Sequence, residues 1–223
     1  IDGYLEFLES DDRFVGIPLK VTYNNYQPFR RMLVRLKKEI ISLGMDEIKP
    51  LEFTGPNIKP VQFQEMLDNE EEVIVLDTRN DYEVRVGTFK NAIDLNIPSF
   101  RDFPEAVSKL PEEYKKKPIV MFCTGGIRCE KASAVMLKSG FENVKQLEGG
   151  VLDYFKETDA SHWDGDCFVF DDRVAVDKDL NETDYVMCYS CREPLTKEEV
   201  RSPDYKIDDH CPYCINDSLK QKI

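Results

Sequence analysis

Apolar positions change rhythm along the chain, and the changes divide it. Near the start, Tyr4, Leu5, Phe7 and Leu8 recur at helical spacing, and Ile17–Tyr23 reads as a strand. The run Pro28–Ile41 fits two patterns: Phe29, Leu33, Leu36 and Ile40 share a helical face, while Val34, Leu36, Lys38 and Ile40 alternate imperfectly as a strand. A helix with strands predicts a small α+β domain over 1–50. Pro50–Pro60, with Gly55-Pro56 at its middle, has turn composition and predicts a linker over 51–60. Beyond it the pattern becomes a helix at Val61–Leu67, a continuous apolar strand at Val73–Arg79, and further strands at Ile93–Ile97 and Ile119–Phe122. Strands alternating with helices predict a parallel α/β sheet domain over 61–158. A last module, 159–223, opens with Cys167–Val176, two short strands about an Asp171-Asp172 turn that read as a hairpin with alternating faces. The first residue is Ile1 and not methionine, so the sequence is expected to lack native N-terminal residues, a strand among them.

The chemistry concentrates in Pro118–Gly140, which reads as a buried strand, a tight loop and a helix closed by glycine. Cys123 stands where the strand ends. Gly125 and Gly126 let the following backbone curl with its N–H groups inward, and the helix that starts near Cys129 adds its positive dipole end. A thiol placed there ionises readily, and the thiolate is the nucleophilic form. The loop Thr124, Gly125, Gly126 and Ile127 would hold the anion of a persulfide or an oxyanion substrate, with Arg128 as a full charge. Four residues separate Cys123 from Arg128, one fewer than a loop that wraps a tetrahedral phosphate needs, which disfavours phosphate ester hydrolysis and suits a smaller sulfur species. The bland alternative is a core thiol, for which the glycines and the arginine have no use. Cys129 can resolve an oxidised or persulfidated Cys123 or serve as a small buried residue of the helix opening, and Lys131 can reach the pocket or only solvent. Asp77 and Arg79 follow a strand of the same sheet, and at the carboxyl ends of parallel strands they fall beside Cys123.

Composition narrows the classes. With 223 residues, 41% hydrophobic and 33% charged, the chain can bury a core, and no stretch approaches the roughly 18 apolar residues of a membrane span. The seven cysteines, in one reactive loop and two Cys-x-x-Cys pairs, suit reduced thiols and predict a cytoplasmic protein. A net charge of -13 excludes a broad nucleic-acid surface and leaves a local patch: Arg30, Arg31, Arg35, Lys37 and Lys38 fall within nine positions, as a solvated face or as phosphate contacts. Cys188-Tyr-Ser-Cys191 and Cys211-Pro-Tyr-Cys214 have the spacing of a four-thiolate structural Zn²⁺ site, with two redox pairs as the alternative. His162 and His210 are too few and too far apart for a two-histidine iron centre, and no Gly-x-Gly-x-x-Gly follows a strand to hold a flavin or nicotinamide.

Leu76-Asp77-Thr78-Arg79, Glu83, Gly87–Ile93, the Cys123 loop and Leu147-Glu148-Gly149-Gly150 stand in the order of a rhodanese domain over roughly residues 60 to 156. With Cys123–Ser133, Trp163–Asp171 and the paired Cys-x-x-Cys tail, the chain as a whole resembles the bacterial tRNA uridine hydroxylase family. The resemblance implies a rhodanese-like parallel sheet preceded by a ferredoxin-like α+β half that lacks its first strand. It further implies a tRNA partner, molecular oxygen as co-substrate, 5-hydroxylation of the wobble uridine, and Cys123 as the catalytic residue, carrying a persulfide. Two other readings use the same residues: a sulfurtransferase that takes sulfane sulfur from a donor, and an inert rhodanese fold that only binds a partner.

Overall fold

The computed structural model describes residues 2–17, 31 and 33–216, in two units, Ile1–Arg35 and Leu36–Ile223. In the first, the helical spacing of Tyr4 to Leu8 forms α1 (Asp2–Glu9), closed by turns through Gly16. Arg30 and all but the first residue of the expected strand Ile17–Tyr23 lie outside the described residues. Of the run 28–41, the part 33–41 is neither helix nor strand: Val34, Leu36 and Ile40 are exposed, and among the described residues no packing partner gives these apolar positions a reason to form either element.

The second unit is built on a five-stranded parallel sheet, in the order β1 (Asn57–Ile58), β6 (Asn143–Leu147), β5 (Pro118–Phe122), β2 (Ile74–Asp77), β4 (Ile93–Asp94). Around it, in chain order, lie α2 (Pro60–Asp68), α3 (Asp81–Val86), α4 (Phe103–Ser108), α5 (Ile127–Lys138) and α6 (Gly150–Glu157). β3 (Gly87–Phe89) pairs antiparallel with β7 (Trp163–Gly165), and β8 (Cys167–Phe168) with β9 (Ala175–Val176). The last module holds β10 (Val186–Met187) against β11 (Pro194–Leu195), then α7 (Lys197–Val200).

Strand alternation sorts the core into two faces. On β5, Ile119 and Met121 face a layer formed by α5, Phe100 and Phe103, while Val120 and Phe122 face Phe63, Tyr154, Phe89 and Trp163. Cys123 is in phase with Ile119 and Met121, which puts its side chain on the α5 side. The β8–β9 hairpin forms where expected, but all four of its strand residues are buried, so its faces do not alternate in exposure. The expected strand Ile93–Ile97 shortens to two residues.

The segment 51–60, expected to be a linker, is part of the sheet unit. Asn57 and Ile58 form its edge strand, Gly55 N–H donates to Ser133 Oγ at 2.9 Å, and Gln146 Nε2 donates to Gly55 O at 2.8 Å. Upstream, Leu43 and Ile48 are buried in the α5-side core, so residues 36–60 wrap this unit as a strap. A glycine and two prolines break helix and strand periodicity without preventing burial.

Candidate active site

Three backbone devices fix the Cys123 loop. β5 ends at Phe122 and delivers Cys123 to the carboxyl end of a central strand. Gly126, at φ +86, turns the chain into α5 in a conformation that favours glycine. The first N–H groups of α6 then secure the loop from outside, with Val151 N–H on Cys123 O at 3.0 Å and Leu152 N–H on Thr124 O at 3.1 Å. This approach is close enough that a Cβ on Gly150 would lie 2.3 Å from Cys123 O.

Arg128, from the first turn of α5, does not extend into open space. Its guanidinium makes a two-pronged pair with Glu83 of α3, Nη1 to Oε2 at 2.5 Å and Nη2 to Oε1 at 2.7 Å, and both side chains are buried. Glu83 also accepts from Thr124 Oγ1 at 3.1 Å and from Asn80 N–H at 3.1 Å. One carboxylate therefore joins the end of β2 to the loop. The outer face of Arg128 lies under Phe170, whose ring centroid is 5.5 Å from Cζ. Phe170 is 66% exposed and is braced by the edge of Phe168.

The Cys123 thiol is 2% exposed and its pKa is lowered to about 6. The chief cause is a hydrogen bond from the Cys129 side chain, followed by the charge of Arg128 and the N–H groups of Cys129 and Arg128, all acting against burial. Cys129 is driven the other way, well above the ordinary thiol range, by burial and then by the neighbouring Cys123 sulfur. The two shifts run in opposite directions, so Cys123 is the sulfur of the pair that gives up its proton more readily.

Other expected site residues divide. Asp77 and Arg79 are wholly buried and pair with each other, Arg79 Nη2 to Asp77 Oδ2 at 2.6 Å, with Arg79 also donating to Gly87 O at 2.6 Å and stacking 5.0 Å from the Trp163 ring. Their place is in the packing under the β3–β7 ribbon. Lys131 reaches neither the Cys123 sulfur nor open solvent: its Nζ donates to Glu39 Oε2 and to Ile41 O, each at 2.9 Å, and holds the strap to α5. Lys38 pairs with Asp46 at 2.7 Å. Arg31, Arg35 and Lys37 are exposed, and the boundary between the two units falls inside this basic run, after Arg35. Cys167 is buried on the opposite face of the sheet, where burial pushes its thiol up to about 12. Phe170 is not among the site residues expected from the sequence, and Glu83 enters that reading only as a member of the rhodanese order. A glutamate three residues after Asn80 signals a helix start, and nothing local announces its pairing with an arginine forty-five positions away.

Cys188, Cys191, Cys211 and Cys214 converge, with all four sulfurs within 4.8 Å of one another. The separations Cys191 to Cys211, 3.5 Å, and Cys211 to Cys214, 3.7 Å, are close to the roughly 3.8 Å that tetrahedral thiolates around Zn²⁺ require at a Zn–S distance of about 2.3 Å. This module docks on α3 through Arg85, which pairs with Glu193 at 2.7 Å and lies 4.1 Å from the Tyr213 ring centroid.

A cysteine at the end of a central parallel strand, separated by four residues from an arginine at the start of a helix, fits a rhodanese site, and residues 59–157 match the family model of the Rhodanese-like domain. A solved rhodanese-like domain from an Anabaena protein aligns with a TM-score of 0.42 at 21% identity, over 50% of this chain and 80% of that one. A tRNA uridine(34) hydroxylase of Cupriavidus necator is 46% identical over 96% of this chain and 78% of its own, and one of Cupriavidus pinatubonensis is 44% identical over the same shares. The chain belongs to the tRNA uridine(34) hydroxylase family.

Cys123 should titrate as a thiolate far below an ordinary cysteine. The ultraviolet thiolate absorbance that Cys123→Ser removes is expected to appear with a midpoint near pH 6. A midpoint near the free-thiol value of about 8.5 would take the thiolate out of the account.

Proposed function

We propose that this chain hydroxylates uridine(34) of tRNA at C5, using molecular oxygen, with the Cys123 sulfur as the reacting group, as thiolate or persulfide. The observation that carries this is a buried Cys123 at the end of β5, facing the start of α5 with Arg128 in its first turn, in a chain that aligns at 46% identity with proteins named for that reaction. Uridine C6 is electrophilic, and a thiolate is the side chain suited to attack it. The N–H groups of Arg128 and Cys129 hold the sulfur anion. Arg128 keeps the field positive and, through Glu83, keeps the loop in shape.

Phe170 supplies what an RNA base needs. Single-stranded bases are read by stacking on exposed aromatic rings. Phe170 presents such a ring on the Arg128 side of the loop. Arg31 and Arg35, at the end of the first unit, are proposed phosphate contacts, and so, separately, is Lys37 of the second, in a chain of net charge -13. The sulfurtransferase reading requires the same thiolate but no exposed aromatic and no RNA.

The test is reconstitution. The full chain with a tRNA transcript, air and dithiothreitol is expected to yield 5-hydroxyuridine by nucleoside mass spectrometry. Cys123→Ser should yield none. Phe170→Ala should raise KM for tRNA by roughly tenfold, as befits a stacking contact of about 1–3 kcal/mol, with kcat less affected and Phe170→Tyr near wild type. Sulfur transfer from thiosulfate to cyanide with no hydroxylated nucleoside would instead make the chain a sulfurtransferase.

The four-cysteine cluster is proposed to hold a structural Zn²⁺, since four thiolates leave no open coordination position. Elemental analysis should find one zinc per chain in the wild type and none in Cys188→Ser. Intact chain with no metal would reassign the four thiols.

A further inference from the structure

Beside the Cys123 loop, the first turns of α5 form one wall of an open groove. Ile127, Glu130 and Lys131 stand three and four residues apart, so they share a face of the helix. The strap meets that face with Ile41, Met45 and Ile48, around a cavity of about 700 Å³. Sites that take a small ligand span roughly 300–1,000 Å³. The floor is apolar, and Ile41, Met45 and Ile48 belong to the same packed cluster as Cys123. Ile127, a residue of the loop itself, is 58% exposed, and Ile40 and Leu51 at the groove are exposed as well. Large apolar side chains left uncovered at one cavity mark a contact site.

The charges around the groove decide what fits it. Six of its seven charged side chains are taken up in pairs: Lys38 with Asp46 at 2.7 Å, Lys49 with Glu52 at 3.1 Å, and Lys131 with Glu39 at 2.9 Å. The seventh, the Glu130 carboxylate, has no partner among the described residues. No cation is left over to hold a phosphate, and the one spare charge would repel it. What suits an apolar floor with a free carboxylate at its edge is a flat group that carries N–H donors, and a nucleobase is such a group. The neighbouring site supplies the reason for one to come there. A uridine that reaches Cys123 has left its stack, and the bases beside it are unstacked in turn. Phe170 lies over Arg128, and Ile127, the residue before Arg128, opens on the groove.

We infer that the groove between α5 and the strap is a second base site, which takes an unpaired tRNA base next to uridine 34, with Glu130 accepting the N–H groups of its edge. This rests on the hydroxylase reading. A carboxylate accepts two parallel N–H donors and repels carbonyl oxygens. Guanine, whose N1–H and exocyclic amine lie side by side, is therefore the preferred occupant, and uracil, whose single N–H sits between two carbonyls, the poorest. The backbone phosphates stay outside the paired rim.

The test uses the full chain and tRNA transcripts that lack the base before or after uridine 34. Removing the base that fills the groove should raise KM by roughly tenfold, the scale of one lost stacking contact, with kcat less affected. With guanine at that position, exchange for inosine should weaken the wild type, and the loss should shrink to near nothing in Glu130→Gln. A photoactivated 6-thioguanine placed there should cross-link to peptides from 38–52 or 127–131. The wild-type cross-link decides the matter even if the variant folds poorly. Cross-links confined to other peptides, or both abasic transcripts hydroxylated as well as the intact one, would overturn the inference and leave the hydroxylase reading standing. So would a dimer that Leu51→Ser dissociates and tRNA does not, which would give the groove to a second copy of the chain. No 5-hydroxyuridine from the intact transcript would overturn both.

Discussion

The site depends on one buried carboxylate. Glu83 binds both prongs of Arg128 and the hydroxyl of Thr124, so the residues on either side of the loop glycines are fixed to α3 as well as to each other, Arg128 Nη2 donating to Thr124 Oγ1 at 3.4 Å. A guanidinium and a carboxylate taken out of water together gain little net stability over an apolar pair, but removing one partner strands a buried charge at a cost of about 3–5 kcal/mol. The pair therefore acts as a constraint more than as a source of stability. It sets where Arg128 stands, and through Arg128 and the α5 N–H groups it sets the field at the Cys123 sulfur.

From that constraint the surrounding architecture gains its sense. α6 holds the loop carbonyls through its first N–H groups, which demands a glycine at 150. The strap 36–60 is tied to α5 by Lys131, Ser133 and Lys138, the last donating to Glu47 O at 2.8 Å. The cysteine module sits on the back of the Glu83 helix through Arg85. Each of these contacts bears on α3, α5 or α6, the three helices that meet the loop.

Much of this was legible from residue order because it is local. The continuous apolar run at 118–122, the glycines after it and the alternation of strands with helices are statements about neighbours, and they give the parallel sheet and put Cys123 at its carboxyl end. The two Cys-x-x-Cys pairs are likewise legible, since spacing alone limits how four thiols can converge. What escaped is non-local. Glu83 reads as a helix-start residue until it is seen against Arg128, Phe170 reads as one more strand aromatic until its ring is found uncovered, and Asp77 with Arg79, polar and beside the loop in sequence logic, are consumed by each other in the core. The 51–60 stretch carries turn residues and still packs, because its polar backbone is satisfied by Ser133 and Gln146.

The central claim is that the Cys123 sulfur modifies a tRNA uridine. It is tested most directly by nucleoside mass spectrometry of tRNA from cells lacking this protein and complemented with the wild type or with Cys123→Ser. The account expects 5-hydroxyuridine and its derivatives to fall in the deletion and to return with the wild type alone. Unchanged levels in all strains, in cells with no second route to that nucleoside, would contradict it.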